Sequence, residues 1–415
     1  MPSYLEQLDA APAAKRWAMA RGWLFGEPLP FFAELRAKRP VLVLPELTLV
    51  TRFADCDRVL RNHATFGVDL YKPKQGGYWM AQDDTAQHWR EKSIMRSILD
   101  YEEVAPMRAY VGQKAAALLA AAHGTMDVVG GLTRAVPVAL TQDWFGYSDA
   151  NPHDLEQWSY WNQQDAFHNQ PFDAVAVADP GAIVRHRELS DLALAAYLAA
   201  LIAARTVEIK TGGDRQDPVS RLLRLSFSGA LKFSVEQVLS NVGGLLIGAV
   251  ETTSHCAVNA LQGLLGRPDV LAAARQAAIA ADPAAFDGFV FECLRWKPAF
   301  PYFFRTCHAP TTLAQDTEFA TAVPAGATVL AVTHSAMFDE TMFADPDRFD
   351  PTRPTGDTFT FGLGLHECLG RAIGAAMIPE IVRQCLMLPG LRQVSPPDYK
   401  GGAVPEAYQL AWDAT

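Results

Sequence analysis

The sequence predicts a mainly helical protein with small β-sheets, organised as one domain over residues 1–415. Three observations predict this. A run opened by Ser234 continues without proline to Gly266 and Pro268, and it is apolar on almost every side between 242 and 250; such a helix must be buried. Helical periodicity recurs through most of the remaining chain, while strand-like alternation is confined to a few short segments. No Gly/Ser linker, repeat or low-complexity run divides the chain, and 49% hydrophobic with 20% charged residues is an ordinary globular composition that can supply a large core.

Composition also excludes some function classes. A formal charge of -10 argues against nucleic acid as the partner, because phosphate binding needs a positive footprint. Charges scattered through the first 23 residues leave no apolar core of the length a signal peptide or membrane anchor needs, so a soluble, cytoplasmic protein is expected. Six cysteines, at 56, 256, 293, 307, 368 and 385, lie far apart and contain no Cys-x-x-Cys pair, which argues against a disulfide framework or a zinc ribbon.

In chain order, 29–39 reads as a helix, 41–46 and 47–53 as a strand pair around a Pro-Glu turn, and 54–63 as a second helix. Residues 66–83 read as a long aromatic loop carrying Tyr71 and Tyr78, and long loops of this kind are often functional. The helix expected over 85–97 places His88 and Lys92 four apart on one face. Two helices follow between 106 and 147, the second interrupted by Pro137. Residues 155–172 are dense in Trp, Asn and Gln; Trp158, Trp161 and Phe167 fit helix packing, and the amides suggest a wall facing something polar. A long alanine-rich helix is expected over 188–209.

Ser234 and Gln237 form a capping-box pattern for the long helix, which at 1.5 Å per residue spans roughly 45 to 50 Å. Its middle reads Gly248-Ala249-Val250-Glu251-Thr252. A buried glutamate is costly unless hydrogen-bonded, and a threonine hydroxyl competes for a carbonyl one turn back. By themselves these residues read equally well as a packing glycine beside a satisfied polar pair. Asp282 and Pro283 open the next helix, where Glu292 and Arg295 stand three apart on one face, a spacing that usually gives a weak exposed pair. An apolar, aromatic segment, 298–307, then leads to strands around 323–326.

The stretch 361–370, FGLGLHECLG, is the most informative in the chain. Cys368 sits among glycines that reach backbone angles closed to other residues, just ahead of a helical run whose start favours an anion. The HExxH zinc pattern fails because Gly370 occupies the place of its second histidine. Phe361, Gly364, Cys368 and Gly370 match F-x-x-G-x-x-x-C-x-G, and in this the stretch closely resembles the haem-ligand loop of the cytochrome P450 family. Gly248 to Thr252 resembles that family's [AG]-G-x-[DE]-T oxygen-binding segment, with Ala249 in place of the second glycine, and Glu292 and Arg295 match its E-x-x-R helix.

The resemblance implies the cytochrome P450 fold, haem b with Cys368 as axial thiolate ligand, and a monooxygenase using O2. It implies that Thr252 and Glu251 act as a proton-relay pair, that His88, Lys92 (where the family usually has Arg), Arg305 and His366 hold the haem propionates, and that Phe361, Gly248 and Ala249 border the cofactor. Arg348 would join Glu292 and Arg295 in a structural charge network. Aromatics suggest a pocket for a small apolar, aromatic or terpenoid-like substrate, lined by Tyr71, Tyr78, Trp161, Phe167, Phe300, Tyr302 and Phe303. With no reductase region in the sequence, electrons from NAD(P)H would arrive through a ferredoxin and its reductase, docking near Arg90, Lys92, Arg96 and Arg371. A peroxide-using peroxygenase is disfavoured by the Glu251-Thr252 pair, and a non-catalytic gas sensor or carrier would not need it.

Overall fold

In the computed structural model, which describes residues 2–83, 85–99, 101–227, 233–280 and 282–413, the helices pack around the one whose apolar run stood out. Val235–Leu265 begins with a reciprocal cap. Ser234 Oγ accepts from the Gln237 amide at 3.2 Å, and Gln237 Oε1 accepts from the Ser234 amide at 3.0 Å, which satisfies two donors that a helix start leaves free. Helices Pro152–His168, Ala284–Trp296 and Arg371–Leu386 pack directly against it. The largest apolar core forms where these faces meet.

Pro180–Lys210 covers one side of this core by burying Leu194, Leu198, Leu201 and Ile202. Among the described residues it alone is long and apolar enough to cross a membrane by length and composition. Its opposite face leaves Leu189, Leu192 and Val207 exposed.

The β structure is small. Strand Val41–Val43 pairs antiparallel with Thr48–Val50, which runs parallel to Thr328–Ala331; that strand pairs antiparallel with Phe303–Cys307, which in turn meets Phe66–Gly67. Register decides what Phe303–Cys307 presents. Successive side chains point to opposite faces, so Phe303 and Arg305 face the main cavity while Phe304 turns with neighbouring Tyr302 into a separate core under the N-terminal helices.

Two segments differ from the sequence expectation. The aromatic stretch expected as a loop contains the short strand Phe66–Gly67, a helical turn Lys72–Gln75 and a 3-10 turn Trp79–Ala81. The break expected at Pro137 lies just ahead of it, as a π-helical turn Val129–Arg134 that leads into Ala135–Asp143. Wide turns of this kind often mark functional positions.

A buried polar hub joins the aromatic stretch to the central helix. Asn241, with no solvent exposure, accepts from Trp79 Nε1 at 2.8 Å and donates to Glu91 Oε2 at 2.5 Å. Removing it leaves an indole N–H and a carboxylate oxygen short of a partner inside the protein. Asn241→Leu is therefore expected to cost roughly 2–4 kcal/mol, read as a lower denaturant midpoint with an unchanged slope.

Candidate functional site

The loop carrying Cys368 is fixed by its own backbone. The Gly362 amide donates to the Phe359 carbonyl at 2.9 Å, Glu367 to Gly364 at 3.1 Å and Cys368 to Phe361 at 2.9 Å. Gly364 has φ +73°, and a Cβ there would lie 2.7 Å from the Leu60 carbonyl oxygen, so only glycine fits. Helix Arg371–Leu386 starts directly beyond the loop.

Cys368 forms part of the wall of a cavity of ≈ 300 Å³. It is accessible because it opens on that cavity, although protein surrounds it on every side. The sequence reading expected the glycine loop and helix start to favour thiolate; burial wins instead and pushes the thiol pKa up, opposed by the Gly370 amide, Lys92 and Arg371 and reinforced by Glu367. A metal cation deprotonates such a sulfur outright.

Above the sulfur lies the middle of the central helix. Thr252 lines the cavity, and its hydroxyl donates to the Gly248 carbonyl at 2.7 Å. The helix stays continuous through this point, while Gln163 Nε2 donates to the neighbouring Ile247 carbonyl at 2.6 Å. A Cβ on Gly248 would meet nothing within 4 Å, so open space lies beside it. Glu251 turns away from the cavity. One of its oxygens accepts from Arg134 Nη2 and Nε at 3.0 and 3.2 Å. Burial, outweighing Arg134, raises its pKa to about 7.

The cations expected at the cofactor's edge divide into two layers. Arg305 and His366 line the cavity itself. Arg305 is 5% exposed and donates to the carbonyl of its neighbour Phe304; His366 Nε2 lies 3.6 Å from Asp83 Oδ1, and beyond that pair its buried ring nitrogens make no hydrogen bond among the described residues. His88 lies behind them, its ring edge-on to His366 with centroids 5.1 Å apart and Nδ1 2.9 Å from the Trp79 carbonyl oxygen. Lys92 reaches the loop's main chain, donating to the Leu365 carbonyl and, at 3.1 Å, to that of Glu367. Burial lowers its pKa to about 8. These features fit a haem: a thiol floor, open space beside Gly248, and buried Arg305 and His366 at one rim suited to two carboxylates.

Other expected residues fall inside and outside the cavity. Tyr71, Tyr78, Phe167, Phe300, Phe303, Phe361 and Ala249 line it. Trp161 does not; it stacks on His186 with centroids 4.2 Å apart and lines a second cavity. The helix explains this, since Gln157, Trp161 and Gln164 share one face while Gln163 and Phe167 share another. Tyr302 is also displaced, packing edge-on against Phe25 and Phe172 on the far side of its strand.

The charge network needs one correction. Arg295 binds Glu292 through Nη2 at 2.7 Å and Nε at 2.9 Å and also donates to the carbonyls of Met337 and Pro346. Arg348, expected as third partner, is 66% exposed and pairs with Asp350. The guanidinium beside Glu292 belongs to Arg353, with Nε 3.5 Å from Oε1, because the turn after Arg348 carries the chain back over the Glu292 helix. The sequence reading also missed Arg134, Gln163 and Glu406. Only Gln163 had a local signal, its helical spacing from Phe167.

Comparison with known proteins agrees with this geometry. The family model described as Cytochrome P450 matches residues 61–387. The chain is 29% identical over 313 residues to the monooxygenase PikC of Streptomyces venezuelae, covering 74% of this chain and 68% of that one. It is 29% identical over 329 residues to the erythromycin C-12 hydroxylase of Saccharopolyspora erythraea, covering 77% and 76%. The solved structure of CYP109Q5 from Chondromyces apiculatus superposes with TM-score 0.77 at 24% identity, covering 95% and 97%, which supports the fold.

Arg353→Met is expected to destabilise the protein by roughly 1–2 kcal/mol, because Glu292 keeps Arg295 but loses a buried cation. Arg348→Ala should stay within about 0.5 kcal/mol of the parent. Chemical denaturation of both variants checks the assignment, and the reverse ranking contradicts it.

Proposed function

Because the chain belongs to the cytochrome P450 family, we propose that it is a haem-thiolate monooxygenase acting on a small apolar substrate of aromatic or terpenoid-like type. The observation that carries this reading is the placement of Cys368 and Thr252 on one cavity whose rim holds Arg305 and His366. Cys368 would hold the iron. Arg305 and His366 would take the propionates, with His88 supporting His366 and Lys92 offsetting charge at the sulfur loop. When bound, a haem-thiolate activates O2 so that one oxygen atom enters a C–H or C=C bond and the other leaves as water.

The chain's own residues do the remaining work. Apolar and aromatic walls exclude water and orient the substrate. Thr252 holds a proton at Oγ1 facing the cavity, and Glu251, near neutrality in its ionisation, replenishes it from the other side of the helix. The relatives include the erythromycin C-12 hydroxylase and a steroid C26-monooxygenase of Mycobacterium tuberculosis. The steroid enzyme supports an apolar substrate without selecting one.

Electrons from NAD(P)H would come through a ferredoxin and its reductase. Arg96 and Arg371 flank Glu367 beside the sulfur loop; Arg96 Nη2 lies 3.8 Å from its carboxylate and Arg371 is in direct contact. This cluster carries a net positive charge that an acidic partner can meet. The six free cysteines suit a cytoplasmic, reducing location.

Two outcomes test this reading. Thr252→Ala should lower product formed per NAD(P)H consumed by roughly ten-fold or more with a bound apolar compound, and an unchanged ratio would remove the residue's assigned role. Arg96→Glu with Arg371→Glu should slow reduction by an acidic ferredoxin and flatten its salt dependence; reduction that ignores both changes contradicts the docking face.

A further inference from the structure

Tyr78 lines the main cavity, and its phenol hydroxyl makes no hydrogen bond among the described residues. Protein encloses the ring and burial pushes its pKa up, so the hydroxyl stays a neutral donor. Tyr71, the other tyrosine on this wall, differs. It stacks on Phe304 with centroids 4.2 Å apart and has Arg305 beside it. A donor left unpaired in an apolar space has lost its hydrogen bonds to water without replacing them, so the site favours a ligand that accepts from it over one that does not.

The central helix carries a glycine where this hydroxyl arrives. A Cβ on Gly244 would lie 2.4 Å from Tyr78 Oη, and glycine is otherwise a poor residue in a helix interior. Gly244 and Gly248 stand four apart, so the hydroxyl rests on the helix face that also borders the open space beside Gly248. The backbone of Tyr78 is held as well. Its amide donates to the Gln75 carbonyl at 3.2 Å, and its carbonyl accepts from the Ala81 amide at 2.9 Å. Trp79, the next residue, is fully buried, lies edge-on to Tyr78 with centroids 5.5 Å apart, and is anchored to Asn241 on the same central helix. The donor is therefore preorganised. Gln75, in the same turn, also lines the cavity, and its side-chain amide makes no hydrogen bond among the described residues.

Charge is missing from this part of the cavity. Among the described residues no carboxylate or ammonium lines it, and Arg305 and His366 stand at the rim assigned to the propionates. The nearest lysines in the chain turn elsewhere: Lys74 Nζ lies 2.7 Å from Asp165 and Lys72 Nζ 2.9 Å from Asp69. What remains is a neutral donor in an apolar, aromatic enclosure. We propose that Tyr78 is a specificity-determining residue, and that the substrate is a neutral, mostly hydrocarbon molecule whose carbonyl or hydroxyl oxygen accepts a hydrogen bond from Tyr78 Oη. The proposal rests on reading the main cavity as the substrate site of a monooxygenase. A pure hydrocarbon of the same shape fills the cavity but leaves the Tyr78 hydroxyl unpaired, and a carboxylate finds no counter-ion there.

The test uses the haem-loaded protein and two probes of one carbon skeleton, menthone, which has a carbonyl, and p-menthane, which has no oxygen. Infrared difference spectra of bound menthone, parent minus Tyr78→Phe, read the carbonyl directly and without turnover. A stretch shifted to lower frequency in the parent and not in the variant is expected. The Kd of p-menthane divided by that of menthone should fall at least about five-fold in Tyr78→Phe, whereas a merely structural role would weaken both probes alike. Gly244→Ala, which puts a methyl group where the hydroxyl rests, should lower the same ratio. An unshifted carbonyl in the parent, or a ratio that Tyr78→Phe leaves unchanged, overturns the proposal. If Gly244→Ala does not fold, Tyr78→Phe decides alone. Menthone held through Tyr78 in a protein whose Thr252→Ala variant stays coupled would instead remove the relay reading of the monooxygenase, so the two failures remain distinct.

Discussion

A sulfur that must carry negative charge inside a protein is the constraint around which this structure is arranged. Burial raises the Cys368 thiol pKa, against the charge a ligand sulfur needs. The surroundings counter this from several directions at once: an amide from Gly370, the ammonium of Lys92 on the loop carbonyls, and Arg371 at the start of the following helix. Glu367 opposes them, and its pairing with Arg371 and Arg96 limits the cost. With the proposed iron bound, a metal cation rather than the protein alone would complete the ionisation.

The central helix solves a second problem of the same kind. Thr252 faces the apolar cavity, while Glu251, one residue earlier, faces the buried Arg134 guanidinium. Consecutive residues on a helix differ by about 100°, so one turn can serve an apolar side and a charged side without a break in the backbone. Arg134 makes this placement tolerable by pairing a carboxylate that would otherwise be isolated.

How much of this was legible depended on the range of the interaction. The capped central helix, the cysteine loop and the Glu292–Arg295 pair are local patterns, and their residues lie within a few positions of one another. Trp161 and Tyr302 were misplaced because aromatic identity outweighed phase: the strand alternation that sends Phe303 inward sends Tyr302 outward, and the turn that points Phe167 inward points Trp161 away. Arg348 and Arg353 share a loop of similar composition, and only the folded path of that loop decides which reaches Glu292. Arg134 had no local signal, since its partner lies 117 residues further on.

The account stands or falls on Cys368 as the axial ligand of a haem. The most direct measurement is the absorption spectrum of the purified ferrous protein with carbon monoxide. A strongly red-shifted Soret band, lost in Cys368→Ala, is the predicted result. No haem, or a band characteristic of histidine ligation, would contradict the assignment and the mechanism built on it.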